Sequence, residues 1–262
     1  MKVLVASPIF YKMKYCLNEF LGGLKELTYK DHEVLLVDNS RSPEGDEFFN
    51  DLRKEKWMTV LKDDSKEERN ILRLVSSRNR IIEYALENKF DYILMLDSDV
   101  IPPKDIIEKL LASKKDIVSG LYYNYFNVGK ELRPLPIAWM FLTEEEFRDI
   151  KSQGGIPPSV KNRFDLRRHM TNEEAFSKQT FEVMYPAAGC MLLSRKVFSA
   201  QRYGLMDVDE KFTSGEDIYF ITEARKRGFS SYVNTEVRCN HLIFQKFEKD
   251  SEGNLLHPLW TN

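Results

Sequence analysis

The sequence predicts an α/β fold built on a mostly parallel central sheet with helices on both faces. Continuous apolar runs of strand length alternate with amphipathic helical segments through the first hundred residues. Runs apolar on both faces suit strands covered on both sides. The runs also end in polar residues, and ligands of such sheets bind at the carboxyl ends of the strands.

The elements follow in order. Val3 to Ala6 is the first strand, closed by Ser7-Pro8. Lys12 to Leu27 reads as a helix, with Leu17, Phe20, Leu21 and Leu24 at helical spacing. Glu33 to Asp38 is the second strand and Trp57 to Leu61 a short third. Val75 to Asn88 is helical, with Ile81, Ile82, Ala85 and Leu86 on one face. Tyr92 to Leu96 is the fourth strand and Asp116 to Gly120 another. Residues 143–179 are polar and broken by Gly154-Gly155 and Pro157-Pro158. They read as a charged insertion or lid with two short helices, each opened by a capping box at Thr143 and Thr171. Apolar character returns at Ala187 to Val197, a helix at Glu216 to Arg227, and a strand at Ser231 to Val237. No repeat or linker interrupts the chain, so 1–262 reads as one domain.

Composition narrows the function. With 42% hydrophobic and 31% charged residues the chain has the makings of a globular protein. A net charge of −2 argues against a protein that coats nucleic acid. Cys16, Cys190 and Cys239 form no CxxC pair, so neither a zinc knuckle nor a disulfide framework is indicated, and a reducing cytoplasm fits best. MKVLVASPIF reads as a strand, not a signal peptide. No run reaches the roughly 18 apolar residues of a membrane span, so any membrane contact is peripheral. Oligomeric state is not legible.

Four groups of residues carry candidate chemistry. YILMLDSDVIPP places Asp97, Ser98 and Asp99 at the end of a buried strand. Two carboxylates there suit a magnesium or manganese ion that keeps sites for phosphate oxygens, although aspartate and serine are also common turn residues. Glu216 and Asp217 in SGEDIYF open a helix. They suit a general base, and equally a capping box with Ser214 and a favourable helix dipole. His241 in RCNHLIF follows a strand and is a metal ligand or a satisfied polar residue; His32, His169 and His257 carry no stronger signal. Arg78 and Arg80 suit phosphate, a base edge or a solvated helix face. Arg163, Arg167 and Arg168 in RFDLRRH read as surface residues or as lid contacts to an anionic substrate. A Walker loop, a G-x-G-x-x-G and a G-x-S-x-G are all absent.

VLVASP, VDNS, SSRNRIIEYALENKFDYILMLDSDV, AAGCMLLSRKVF and SGEDIYFITEARKRGF follow one another in an order that resembles a GT-A-fold nucleotide-sugar glycosyltransferase of the family 2-like type. The resemblance implies a GT-A, Rossmann-like sheet, with residues 1–103 binding a nucleoside-diphosphate sugar and 104–262 an acceptor. It implies Mn2+ or Mg2+ held by Asp97, Asp99 and His241, with Asp97 nearer the ribose. It assigns Ser7, Pro8 and Asp38 to the nucleoside, Arg78 and Ser98 to the donor, and Asp217, beside Glu216, to the base of an inverting transfer. Uridine is the favoured base, with guanosine the alternative. The acceptor is a glycan, a lipid-linked sugar or a small hydroxyl compound. Tyr122, Tyr123 and Trp139 are expected to stack on it or to be core aromatics. The rivals are a retaining transferase on the same metal site, a haloacid-dehalogenase-like phosphatase and a non-catalytic sugar-nucleotide binder. The phosphatase motif normally ends the first strand, whereas here it comes about a hundred residues in.

Overall fold

The computed structural model describes residues 1–209, 212–213, 215–243, 248–249 and 255–256. Ser214 and His257 lie outside them. In chain order the first half holds β1 (Val3–Ile9), α1 (Leu17–Lys25), β2 (His32–Asp38), α2 (Pro43–Leu52), β3 (Thr59–Lys62), α3 (Asn70–Glu87), β4 (Tyr92–Leu96), β5 (Val100–Ile101), α4 (Ile106–Ala112) and β6 (Ile117–Leu121). A hairpin follows, β7 (Tyr123–Val128) with β8 (Glu131–Pro136), and then β9 (Trp139–Phe141), α5 (Glu144–Ser152), β10 (Arg167–His169) and α6 (Asn172–Phe176). The remainder is β11 (Thr180–Val183), β12 (Cys190–Ser194), α7 (Arg195–Ala200), β13 (Asp207–Asp209), β14 (Phe212–Thr213), α8 (Glu216–Lys226), β15 (Ser231–Arg238), β16 (Asn240–His241), β17 (Glu248–Lys249) and β18 (Leu255–Leu256).

Eight strands form the central sheet in the order β11-β15-β6-β12-β4-β1-β2-β3. The β1–β2, β1–β4, β2–β3 and β15–β6 pairs are parallel, and β12 enters antiparallel between β4 and β6. Side chains alternate between faces as strand geometry requires. Val3, Val5, Leu94, Leu96 and Leu192 pack with Phe20, Leu24, Phe48 and Leu110 of α1, α2 and α4. Leu4, Ala6, Ile93, Met95 and Leu193 pack with Ile81, Ile82, Phe198 and Phe220 of α3, α7 and α8. Each strand therefore has two apolar faces, which is why its sequence shows an unbroken run. Capping boxes form at Thr143 and Thr171. Met170 and Ala175 of the charged insertion join Leu121, Met140, Val183 and Val233 in a third, smaller cluster.

Several boundaries differ from the sequence reading for physical reasons. β1 runs past Ser7-Pro8 to Ile9, because its pairing with β4 stops at Ala6 and beyond it only β2 follows. A proline tolerates that half-open edge. The first helix breaks at Cys16, with a 3-10 turn over Tyr11–Tyr15 before α1, and the Cys16 thiol turns to the carbonyl oxygen of Ser98. α3 starts five residues before Val75, as Asn70 to Leu74 hold no breaker. The β7–β8 hairpin was not anticipated at all. Among the described residues no helix is long and apolar enough to cross a membrane.

Candidate active site

The carboxyl edge of the sheet gathers the acids that the sequence singled out. β4 delivers Asp97, whose backbone N–H donates to the Gly189 carbonyl beyond β12 (2.9 Å). The Asp97–Val100 turn then points Asp99 away from the strand, closed by a bond from the Val100 N–H to the Asp97 carbonyl (3.0 Å). Gly189 has no room for a side chain: a Cβ there would lie 2.6 Å from the Tyr122 hydroxyl and 2.9 Å from Asp97 Oδ2.

Arg78 is the hub of this edge. It sits on the buried face of α3, 2% exposed. Its Nη2 donates to Asp97 Oδ1 (2.7 Å) and its Nε to Glu216 Oε1 (3.1 Å). Its guanidinium lies 5.4 Å from the Tyr203 ring centre. Burial opposes the Arg78 charge, and Asp97, with Glu216 behind it, outweighs burial and holds the proton on. Nη1 of Arg78 is buried without a hydrogen-bond partner among the described residues. Glu216 is buried, and burial raises its pKa against the pull of Arg78. Asp217 is half-buried and its Oδ1 accepts from the Ile218 N–H (2.7 Å). Gly215 is the N-cap of α8, and the capping-box alternative of Asp217 with Ser214 lies outside the described residues. A Cβ on Gly215 would stand 2.5 Å from Asp217 Oδ1.

Asp99 faces His241. The β5–β16 ladder pairs Val100 with His241, and the Leu242 N–H donates to the Asp99 carbonyl (2.7 Å). His241 Nδ1 lies 3.0 Å from the Tyr123 carbonyl, which fixes the ring and turns Nε2 toward Asp99 Oδ2 at 3.6 Å. That is beyond hydrogen-bond length. Burial works against the imidazolium, but the Asp99 carboxylate overrides it and the His241 pKa rises above 6.5. A carboxylate oxygen and an imidazole nitrogen this far apart are a fitting pair for one divalent ion that keeps other positions for phosphate oxygens. Asp97 is turned to Arg78 instead, and among the described residues no group of three ligands forms.

The nucleoside candidates are deeper than expected. Ser7 is buried with Oγ donating to the Pro8 carbonyl (3.0 Å). Asp38 is fully buried, accepting from the Ser40 N–H and hydroxyl and from Lys62 Nζ (2.8 Å). Beside Lys62 a cavity of about 380 Å³ is lined by Asp63, Ser76, Asn79 and Arg80. Ser98 is buried in the turn.

The acceptor-side aromatics divide. Tyr122 is buried, its hydroxyl accepting from the Gly189 N–H (3.0 Å) and its ring 4.8 Å from His241. Burial pushes its pKa far up. Tyr123 is buried with its hydroxyl donating to Asn172 (3.0 Å). Both are pillars, not platforms. Trp139 is half-buried and packed against His169, with ring centres 3.8 Å apart and planes tilted by 36°. Arg163 and Arg168 are held by Glu144, and by Glu146 and Glu174.

The sequence profile of Glycosyl transferase family 2 matches residues 8–201, which run from the end of β1 through α7 and include Asp38, Arg78, Asp97 and Asp99. The chain belongs to that family. Solved structures bear out the GT-A fold. GalNAc-T7 with UDP, GalNAc and Mn2+ superimposes with a TM-score of 0.59 at 14% identity, over 92% of this chain and 44% of that one. A197 from STIV gives 0.51 at 15% identity, over 98% and 93%. TarS 1-349 from S. aureus in complex with UDP gives 0.50 at 15%, over 92% and 60%. No curated protein matches the chain.

Within this family 2 protein, Lys62, Asp63 and Tyr203 join the edge without having been singled out by the sequence. Polar residues at a strand end had flagged Asp38, and the same signal at Thr59–Lys62 points to Lys62 and Asp63. Nothing local marks Tyr203. Replacing Arg78 by Met leaves Glu216 buried without its cation, which costs about 3–5 kcal/mol. Chemical denaturation of Arg78→Met is expected to show that loss, and Arg78→Lys a smaller one.

Proposed function

We propose that the chain is a metal-dependent glycosyltransferase that moves a sugar from a nucleoside diphosphate sugar, UDP-linked by preference and GDP-linked as the alternative, to a hydroxyl acceptor. The observation that carries the reading is the pairing of Asp99 with His241 at the sheet edge, 3.6 Å apart and held by a backbone ladder. Family membership supports it.

Asp99 and His241 are the residues that would hold Mn2+ or Mg2+. When bound, such an ion offsets the charge of a departing diphosphate. Asp97 orients against Arg78 and contributes its remaining oxygen beside Gly189, where backbone can come close to a ligand. Lys62 and Asp38 close the nucleoside side. Glu216 is spent on Arg78 and holds the start of α8, which presents Asp217. Asp217 takes the proton from the acceptor hydroxyl as that oxygen attacks the anomeric carbon opposite the leaving group. One displacement with one base gives inversion.

Two measurements test this. The melting temperature is expected to rise with UDP plus manganese and not with manganese-free UDP, because a ligand of the folded state stabilises by mass action. GDP giving the larger rise would change the donor base; no rise with any nucleotide would remove the donor site. Asp217→Asn should keep that rise while turnover falls by about 10²–10⁴-fold. Undiminished turnover in Asp217→Asn would end its role as base.

The second concerns pH. The raised His241 pKa means the pair with Asp99 stabilises the metal-free fold fully below 6.5 and loses that contribution as pH rises through the raised value. Metal binding must expel the same proton, so the manganese-dependent rise should grow across that range. Subtracting His241→Asn isolates both effects. A manganese response flat with pH would remove His241 from the metal.

A further inference from the structure

The outer side of the 185–189 segment carries two arginines that the donor-side account leaves unused. Arg167 of β10 lies over Trp139, 4.7 Å from the ring centre, and beside Tyr185 at 5.4 Å. Arg225 of α8 approaches Tyr185 from its own helix at 5.6 Å and Phe141 at 5.2 Å. Two guanidinium groups thus share one tyrosine ring. Neither has a carboxylate in ion-pair contact among the described residues. The contrast with their neighbours is sharp, since Arg163 and Arg168 are both neutralised by glutamates.

The pair is positioned and under-compensated. Arg225 donates to the Met184 carbonyl and bonds to Tyr185, and Glu182 acts on it only from a distance. Burial lowers its pKa, the sign of a cation that has lost water without gaining an anion. Arg167 is exposed and held by ring faces alone. Aromatic faces fix the planes of guanidinium groups while leaving their N–H edges available, the arrangement that suits carboxylate or phosphate.

The Tyr185 hydroxyl lies 3.2 Å from Thr222 Oγ1, five residues along α8 from Asp217, or roughly 7.5 Å at helical rise. Tyr185 is also four residues before Gly189, whose Cα faces Asp97. Thr222 stands about 140° round α8 from Asp217, so the arginine pair lies outside the reacting centre, on the segment that leads from Tyr185 to the sheet edge at Gly189.

We propose that Arg167 and Arg225 bind an anionic group, a carboxylate or a phosphate ester, carried by the acceptor away from its reacting hydroxyl. The proposal rests on the transferase reading for the word acceptor. The anion site itself is tested without donor.

Ligand-observed NMR on the full chain, with glucose, glucuronic acid and glucose 6-phosphate as probes, gives the test. At least one anionic sugar is expected to bind about tenfold more tightly than glucose, and the preference should shrink as salt rises. Tighter binding of the acid or of the phosphate ester tells which group the site takes. Arg167→Gln should abolish the preference and Arg167→Lys retain part of it, with the UDP–manganese melting shift unchanged in both. Equal binding of all three sugars, or a preference that survives Arg167→Gln, overturns the proposal. Loss of the melting shift in the wild-type chain would instead count against the transferase reading, and the two failures are read separately.

Discussion

A buried guanidinium has to be neutralised where it stands, and Arg78 is neutralised by two acids far apart in sequence. Asp97 ends β4 and Glu216 begins α8, 119 residues later in the numbering of the chain. Without the cation between them these carboxylates would repel one another in a poorly solvated space. With it, the end of the fourth strand and the start of the eighth helix are pinned side by side. Both acidic motifs then divide in the same way. One acid, Asp97 or Glu216, is spent on Arg78. The other, Asp99 or Asp217, is turned away from that pairing.

The rest of the edge is built to keep this division in place. The β5–β16 ladder sets His241 opposite Asp99, and Tyr122 braces the ring of His241 while its hydroxyl holds the Gly189 N–H. Gly189 can come close to Asp97 only because it has no side chain. At the end of β2 Lys62 does for Asp38 what Arg78 does for Asp97. Cations thus settle the buried acids, and a short stretch of backbone pairing settles the pair left for chemistry. Arg167 and Arg225 at the outer side lack that settlement, which is what makes them a binding surface instead of a strut.

Much of this was legible in the sequence, and the reason is specific. Strands covered on both faces read as unbroken apolar runs, so β1, β2 and β4 and the polar residues at their ends could be placed from residues alone. The capping boxes at Thr143 and Thr171 are local and were read as they stand. The antiparallel entry of β12 was not legible, because an apolar run carries no direction. The partnership of Arg78 with Glu216, and of His241 with Asp99, spans more than a hundred residues and has no local trace. Tyr122 and Tyr123 read equally as acceptor platforms or core aromatics, because periodicity does not tell a pillar from an exposed ring. Among the arginines of RFDLRRH, composition could not separate Arg167, without a carboxylate partner among the described residues, from Arg163 and Arg168.

The central claim is that Asp99 and His241 hold a divalent ion together with a nucleoside diphosphate. Electron paramagnetic resonance of free Mn2+ tests it directly, since the free-ion signal falls as the metal binds. The account predicts weak binding by the chain alone and one tightly bound ion per chain once UDP or GDP is present, lost in Asp99→Ala and weakened in His241→Ala. Manganese binding that ignores both nucleotides, or that survives Asp99→Ala unchanged, would contradict it.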